Sequence, residues 1–127
     1  MRILLDTCTF LWVCGDSEEL SASARHLIMT CDELYLSPVS GWEIAVKQNI
    51  GKLSLPAPAP EWVPSQRVSH GIDTLPLSEG AALRVSTLPN HHKDPFDRML
   101  VAQALYDDLV LLTPDPFIRA YPAKVEW

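Results

Sequence analysis

The segment Arg2-Ile3-Leu4-Leu5-Asp6 decides how the rest of the chain is read. An unbroken aliphatic run that stops at a carboxylate is the pattern of a strand covered on both faces and leaving a parallel sheet at its C-terminal end. Parallel neighbours cannot be joined by a tight hairpin, so a crossover has to follow. Residues 7–14 supply it as an apolar helix closed by Gly15. The alternation then repeats. Ser21 caps a helix to residue 31, residues 34–37 read as a strand, and Pro38 opens a helix to Ile50 with Gly51 at the C-cap. Pro56, Pro58, Pro60 and Pro64 stiffen a surface crossing that carries one helical piece over residues 61–69. Residues 72–75 form a third strand, Ser78 caps a helix to residue 87, and Asp94-Pro95 opens a longer one to residue 108. Residues 110–113 are the fourth strand, 116–121 a helical turn and 124–127 a last extended piece. The expected fold is α/β, a three-layer α/β/α sandwich with a mainly parallel central sheet, in a single domain over residues 1–127.

Composition narrows the function. A chain of 127 residues that is 47% apolar can bury one core and not two, and is no disordered tail. Sixteen acids against ten bases give a net charge of −6, which argues against a general nucleic-acid coat, so a bound polyanion needs local help. Apolar stretches such as residues 10–14 are far shorter than the roughly 20 residues that span a bilayer, and Asp6 interrupts the run 3–5 before it could make a secretory h-region. A cytoplasmic protein without a membrane segment is expected. Cys8, Cys14 and Cys31 are odd in number and lack C-x-x-C spacing, so they are read as small core residues.

Ligands of open α/β sheets bind beyond the carboxyl ends of the strands, which directs attention to Asp6 after the first strand and Asp115 after the fourth. Two helical acids join them. Glu43 lies on a stripe with Val39, Val46 and Ile50, and Asp97 heads a face continued by Leu100, Val101 and Ala104. Acids from such distant positions can meet at one sheet edge only if a cation or shared protons relieve their repulsion. Structural readings compete. Asp94 before Pro95 and Asp115 before Pro116 are well-formed N-caps, Asp97 sits where a helix dipole favours an acid, and Glu43 with Lys47 is an ordinary i,i+4 pair. Asp6 has no cap or pair visible in the sequence. His91 and His92 lack a third nitrogen or sulfur ligand at suitable spacing and read as a solvated or substrate-side loop. Trp12, Trp42 and Trp62 read as packing residues.

The segments Leu4-Leu5-Asp6-Thr7, Ser37-Pro38-Val39-Ser40-Gly41-Trp42-Glu43-Ile44, His92-Lys93-Asp94-Pro95-Phe96-Asp97-Arg98 and Leu112-Thr113-Pro114-Asp115 together resemble the PIN-domain ribonucleases, and most closely the VapC-type toxins of bacterial toxin–antitoxin pairs. Each motif is weak alone; the ordered set covers nearly the whole chain. The resemblance implies a catalytic, metal-binding constellation of Asp6, Glu43, Asp97 and Asp115 that holds Mg²⁺ or Mn²⁺, with Asp94 and Thr113 in an outer shell. It also implies an RNA substrate, a VapB-like antitoxin covering the cleft, and a homodimer formed through helices of the N-terminal half. Lys47, Lys93 and Arg98 are candidate phosphate contacts, and the prolines near Trp62 a candidate partner surface. Two other readings stand beside this one. A PIN-like domain without catalysis would only bind partners. A receiver-type signalling domain has the right length and alternation but wants paired acids after its first strand, which Leu4-Leu5-Asp6 does not offer.

Overall fold

Leu4 packs into one hydrophobic cluster and Ile3 and Leu5 into another, and none of the three is exposed at all, so the sheet they form is covered on both faces. The computed structural model describes residues 1–127. In it β1 (Arg2–Leu5) is the middle of five strands with β2 (Glu33–Leu36), β3 (Asp73–Thr74), β4 (Val110–Leu112) and β5 (Val125–Glu126). Their order is β3-β2-β1-β4-β5, and every pairing is parallel. The order changes direction between β1 and β4, which makes that crevice the switch point where ligands of such sheets sit. Leu5 is level with Leu36 and Leu112, so Asp6, Ser37 and Thr113 emerge side by side along one edge. A receiver-type sheet runs 2-1-3-4-5. The observed order removes that alternative.

Seven helices complete the sandwich: α1 (Thr7–Cys14), α2 (Ala22–Thr30), α3 (Pro38–Asn49), α4 (Ala59–Ser69), α5 (Glu79–Arg84), α6 (Pro95–Tyr106) and α7 (Pro116–Arg119), with a 3₁₀ turn over Val85–Thr87. Leu100, Val101 and Ala104 of α6 and Ile118 of α7 cover the face that carries Leu4 and Leu111. Phe10 of α1, Ala24 of α2 and Ile44 of α3 cover the face that carries Ile3, Leu5 and Leu112. Helix starts follow local chemistry. The side chains of Asp6, Ser21, Ser37, Ser78, Asp94 and Asp115 each accept a backbone N–H of the helix they precede. Gly51 adopts φ +76°, the left-handed region expected for it, whereas Gly15 caps α1 at φ −92°.

Several expectations change. α4 begins at Ala59, two residues earlier than expected, because Pro60 is tolerated in a first turn where no N–H is needed. The stripe proposed for α3 is buried only in part, since Val46 and Ile50 are exposed while Val39, Ser40, Glu43 and Ile44 are buried. Cys8 is exposed, and Cys14 and Cys31 are only half-buried, so none is a full core residue. Trp62 packs edge-on against Phe10 at 6.1 Å and is partly buried, whereas Trp42 is 63% exposed and leans on Phe96 at 4.8 Å. No helix is long and apolar enough to cross a membrane.

Candidate metal centre

Asp6 is buried at the end of β1, and both its oxygens are engaged. Oδ1 accepts the Thr9 N–H at 2.8 Å, and Oδ2 accepts the Thr113 hydroxyl at 2.5 Å. Thr113 reaches it because β4 lies beside β1, and the same hydroxyl oxygen accepts the Asp115 N–H at 3.1 Å. Burial pushes the Asp6 carboxyl up from its ordinary value, the bonds from Thr113 and Thr9 oppose the rise, and the charge of Asp115 adds to it. Asp115 divides its oxygens too. Oδ1 caps α7 through the Phe117 N–H at 2.8 Å, and Oδ2 faces inward.

Asp97 sits one turn into α6, with its side chain 18% exposed. Its carboxyl is pushed up from 3.8 to about 7, first by burial and then by the charges of Asp94, Glu43 and Asp6, with His92 pulling the other way. Mutual repulsion of this kind is the electrostatic sign of convergence. Glu43 is also buried, accepting the Thr7 hydroxyl on Oε1 at 2.6 Å and pairing with Lys47 through Oε2 at 2.5 Å. Ser40 Oγ lies 3.0 Å from the same threonine hydroxyl. Asp94 caps α6 through the Phe96 N–H at 2.9 Å and borders the cluster.

The four expected acids are therefore near enough for Asp97 to feel the charges of Glu43 and Asp6, and Asp6 that of Asp115, but they do not all share one coordination point. The group of ligand atoms lying within 4.8 Å of one another is His92, Asp97 and Asp115, all half-buried. Asp6 and Glu43 act on the centre through their charge and are held by Thr9, Thr113, Thr7 and Lys47. His92 is the residue that sequence reasoning set aside. Its side chain is 14% exposed, with Nε2 2.9 Å from Asp115 Oδ2 and 3.2 Å from Asp97 Oδ2, so it turns inward to the acids from a loop whose neighbours Asn90, His91 and Lys93 are exposed. His91 turns the other way, packing its ring on Tyr121 at 5.0 Å. Nothing in the spacing of two adjacent histidines tells which one turns inward; that depends on Tyr121, 29 positions from His92, whose hydroxyl accepts the His92 N–H at 2.9 Å.

The three basic residues are engaged to different degrees. Arg98 donates to the carbonyls of Pro89, Val85 and Leu88 and to the Tyr121 hydroxyl, which fixes the loop before α6 and leaves it a structural clamp instead of a phosphate contact. Lys47 compensates Glu43 and keeps a side chain 42% exposed, and Lys93 is exposed. Cys8, unremarked as a site neighbour, has its thiol pushed up to about 11 by burial and by the charges of Asp6, Glu43 and Asp97.

Two half-buried carboxylates converging with His92 Nε2, in the field of further acids, form a group that can hold a divalent metal ion. Comparison with known proteins places this chain in a family. The PIN domain family model matches residues 3–124, and the chain belongs to that family. Among its relatives is Ribonuclease VapC22 of Mycobacterium tuberculosis, 27% identical over 120 residues that cover 94% of this chain and 91% of that protein. Solved structures share the fold. A chain of the DNA-bound VapBC of Salmonella typhimurium matches with a TM-score of 0.70 at 17% identity, covering 99% of this chain and 97% of that one. A chain of VapBC2 from Rickettsia felis, bound to a fragment of its promoter, gives 0.69 at 13% identity with 99% and 98% covered. The toxin–antitoxin complex from Klebsiella pneumoniae gives 0.65 at 18%, with 99% and 97% covered.

Proposed function

We propose that this chain is a metal-dependent endoribonuclease toxin that hydrolyses RNA phosphodiester bonds in the cytoplasm and is neutralised by a VapB-like antitoxin. The observation that carries the reading is the convergence of Asp97, Asp115, Asp6 and Glu43 at the carboxyl edge of β1 and β4, in a pocket where Asp97 is driven up to about 7. Membership of the PIN domain family and a relative named as a ribonuclease support the activity. Fold neighbours solved as VapBC and toxin–antitoxin complexes support the partner. A homodimer belongs to the same proposal.

Asp97 and Asp115 hold the cation in this reading, with Asp6 and Glu43 completing the negative field and Asp94 and Thr113 standing behind them. A bound Mg²⁺ or Mn²⁺ supplies Lewis-acid activation of water and neutralises charge at the scissile phosphate. The chain's own residues do the positioning. Thr113 fixes Asp6 Oδ2 and the Asp115 backbone with one hydroxyl, so the acids of β1 and β4 keep a set separation. Thr7 fixes Glu43, and Lys47 and Lys93 offer charge to the RNA backbone at the rim. An acidic surface thereby accepts a polyanion, which its net charge alone forbids.

The test uses the purified full chain and RNA, with Mg²⁺ or Mn²⁺ against a chelator. Cleavage is expected only with metal, and Asp6→Asn should abolish it while leaving the circular dichroism spectrum unchanged. Full cleavage by both Asp6→Asn and Asp97→Asn would refute the site. Growth arrest that persists on expression of Asp6→Asn would favour the non-catalytic binding module.

A further inference from the structure

His92 is held as tightly as the acids it touches. Its backbone N–H donates to the Tyr121 hydroxyl at 2.9 Å, and Arg98 donates to the same hydroxyl at 3.0 Å. The Asp94 N–H points at Nδ1 from 3.0 Å, so Nδ1 serves as the acceptor and the ring proton belongs on Nε2. That nitrogen lies between Asp115 Oδ2 at 2.9 Å and Asp97 Oδ2 at 3.2 Å. Asp115 Oδ1 is already committed to capping α7, which leaves Oδ2 as the oxygen that Asp115 can present to a ligand.

We propose that His92 is a built-in occupant of the Asp97–Asp115 cation position: its Nε2–H bridges the two carboxylates in the metal-free protein and is displaced when a divalent cation binds. The inference rests on the metal-centre reading above and adds a residue that the acidic constellation does not include. One N–H directed at two carboxylate oxygens does part of the work of a cation, since it satisfies both lone pairs at a point where two like charges would otherwise face each other. Direct ligation through Nε2 is disfavoured by the loop. It would require that nitrogen to lose its proton and the ring to carry a proton on Nδ1, against the Asp94 N–H. His92 is thus a positioning residue and a competitor of the metal, holding Asp97 and Asp115 together until the ion arrives.

The experiment measures Mn²⁺ binding to the full chain by calorimetry and by loss of the free-ion electron paramagnetic resonance signal, for wild type, His92→Ala, His92→Gln and Asp97→Asn. His92→Ala should bind Mn²⁺ roughly ten- to a hundredfold more tightly, the equivalent of losing one charge-assisted hydrogen bond from the competing state. It should also melt earlier without metal. His92→Gln, which can still donate to the acids, should return affinity towards wild type. In ¹⁵N-labelled wild-type protein the His92 ring should show protonated Nε2 without metal and shift on saturation with diamagnetic Mg²⁺, while His26 and His70 stay unmoved. This readout does not need a folded variant. Weaker binding by His92→Ala would make the residue a ligand, and unchanged binding a bystander; either overturns the proposal while leaving the metal centre intact. A metal centre that is itself wrong shows differently, as no Mn²⁺ uptake by any variant or undiminished uptake by Asp97→Asn, and the proposal falls with it.

Discussion

Replacing Asp97 by Asn should make the metal-free protein more stable while removing its capacity for the divalent ion. Burial and the charges of Asp94, Glu43 and Asp6 raise this carboxyl from 3.8 to about 7, so ionising it in the folded chain costs free energy that the unfolded chain does not bear. At about 1.4 kcal/mol for each tenfold change in proton affinity, the full gap corresponds to roughly 4 kcal/mol. With 18% of the side chain in water, screening brings the expected gain to about 2 kcal/mol. The substitution is nearly isosteric, and an amide oxygen can still accept from His92, so the change isolates charge.

The sign in pH follows from linkage. The folded carboxyl holds its proton more tightly than the unfolded one, so the stability it contributes is complete below about pH 4 and is lost as pH rises through about 7. Urea denaturation in chelator, followed by circular dichroism, should therefore show wild type and Asp97→Asn alike near pH 4 and separated by about 2 kcal/mol at pH 8, with the variant more stable. Added Mn²⁺ should reverse the order, stabilising wild type by about 2.7 kcal/mol at a hundredfold excess over Kd and leaving the variant unmoved. A variant less stable than wild type at pH 8 without metal would refute the argument, because the acids would then not be repelling one another.

Thr113→Val should cost about 1.5–3 kcal/mol in the same assay, since it removes the donor to buried Asp6, whereas Thr113→Ser keeps the hydroxyl and should lose less than half of that; equal losses would deny the bond its role. Cys8, though exposed, should alkylate slowly at pH 8 because its thiol is held at about 11, and saturating Mg²⁺ should accelerate the reaction by neutralising Asp6, Glu43 and Asp97. A rate indifferent to Mg²⁺, measured by mass spectrometry, would place the ion elsewhere.

Much of the fold can be read locally. The aliphatic run at Ile3-Leu4-Leu5, the caps at Ser21, Ser37, Ser78, Asp94 and Asp115, and the left-handed Gly51 are each set by a few adjacent residues, and the elements appear where those signals stand. What escaped depends on long-range packing. Val46 and Ile50 complete a plausible apolar stripe with Val39, but the last fully buried residue of α3 is Ile44, and both Val46 and Ile50 meet solvent. Arg98 beside Asp97 looks like a phosphate contact until the loop carbonyls of Val85, Leu88 and Pro89 turn out to lie around it. His92 is invisible for the same reason: its orientation is set by Tyr121 and by the separation of Asp97 from Asp115.

Capping does not exclude a second role at these acids, since each has two oxygens, and Asp6, for which the sequence offers no cap, also caps α1. In Asp6 and Asp115, Oδ1 accepts a backbone N–H of the following helix, and Oδ2 is turned towards Thr113 or His92 and the centre of the pocket. Capping orients the carboxylate, and orientation is what a metal centre requires. The same geometry helps the chain to tolerate crowded negative charge, because Asp6 caps the start of α1 and Asp97 lies in the first turn of α6, where the helix dipoles favour an acid. A parallel sheet whose order turns between β1 and β4 directs those helix starts to one edge. The acids that look dispensable because they are good caps are therefore well placed to hold a cation, and removing the cap also removes the aim of the second oxygen.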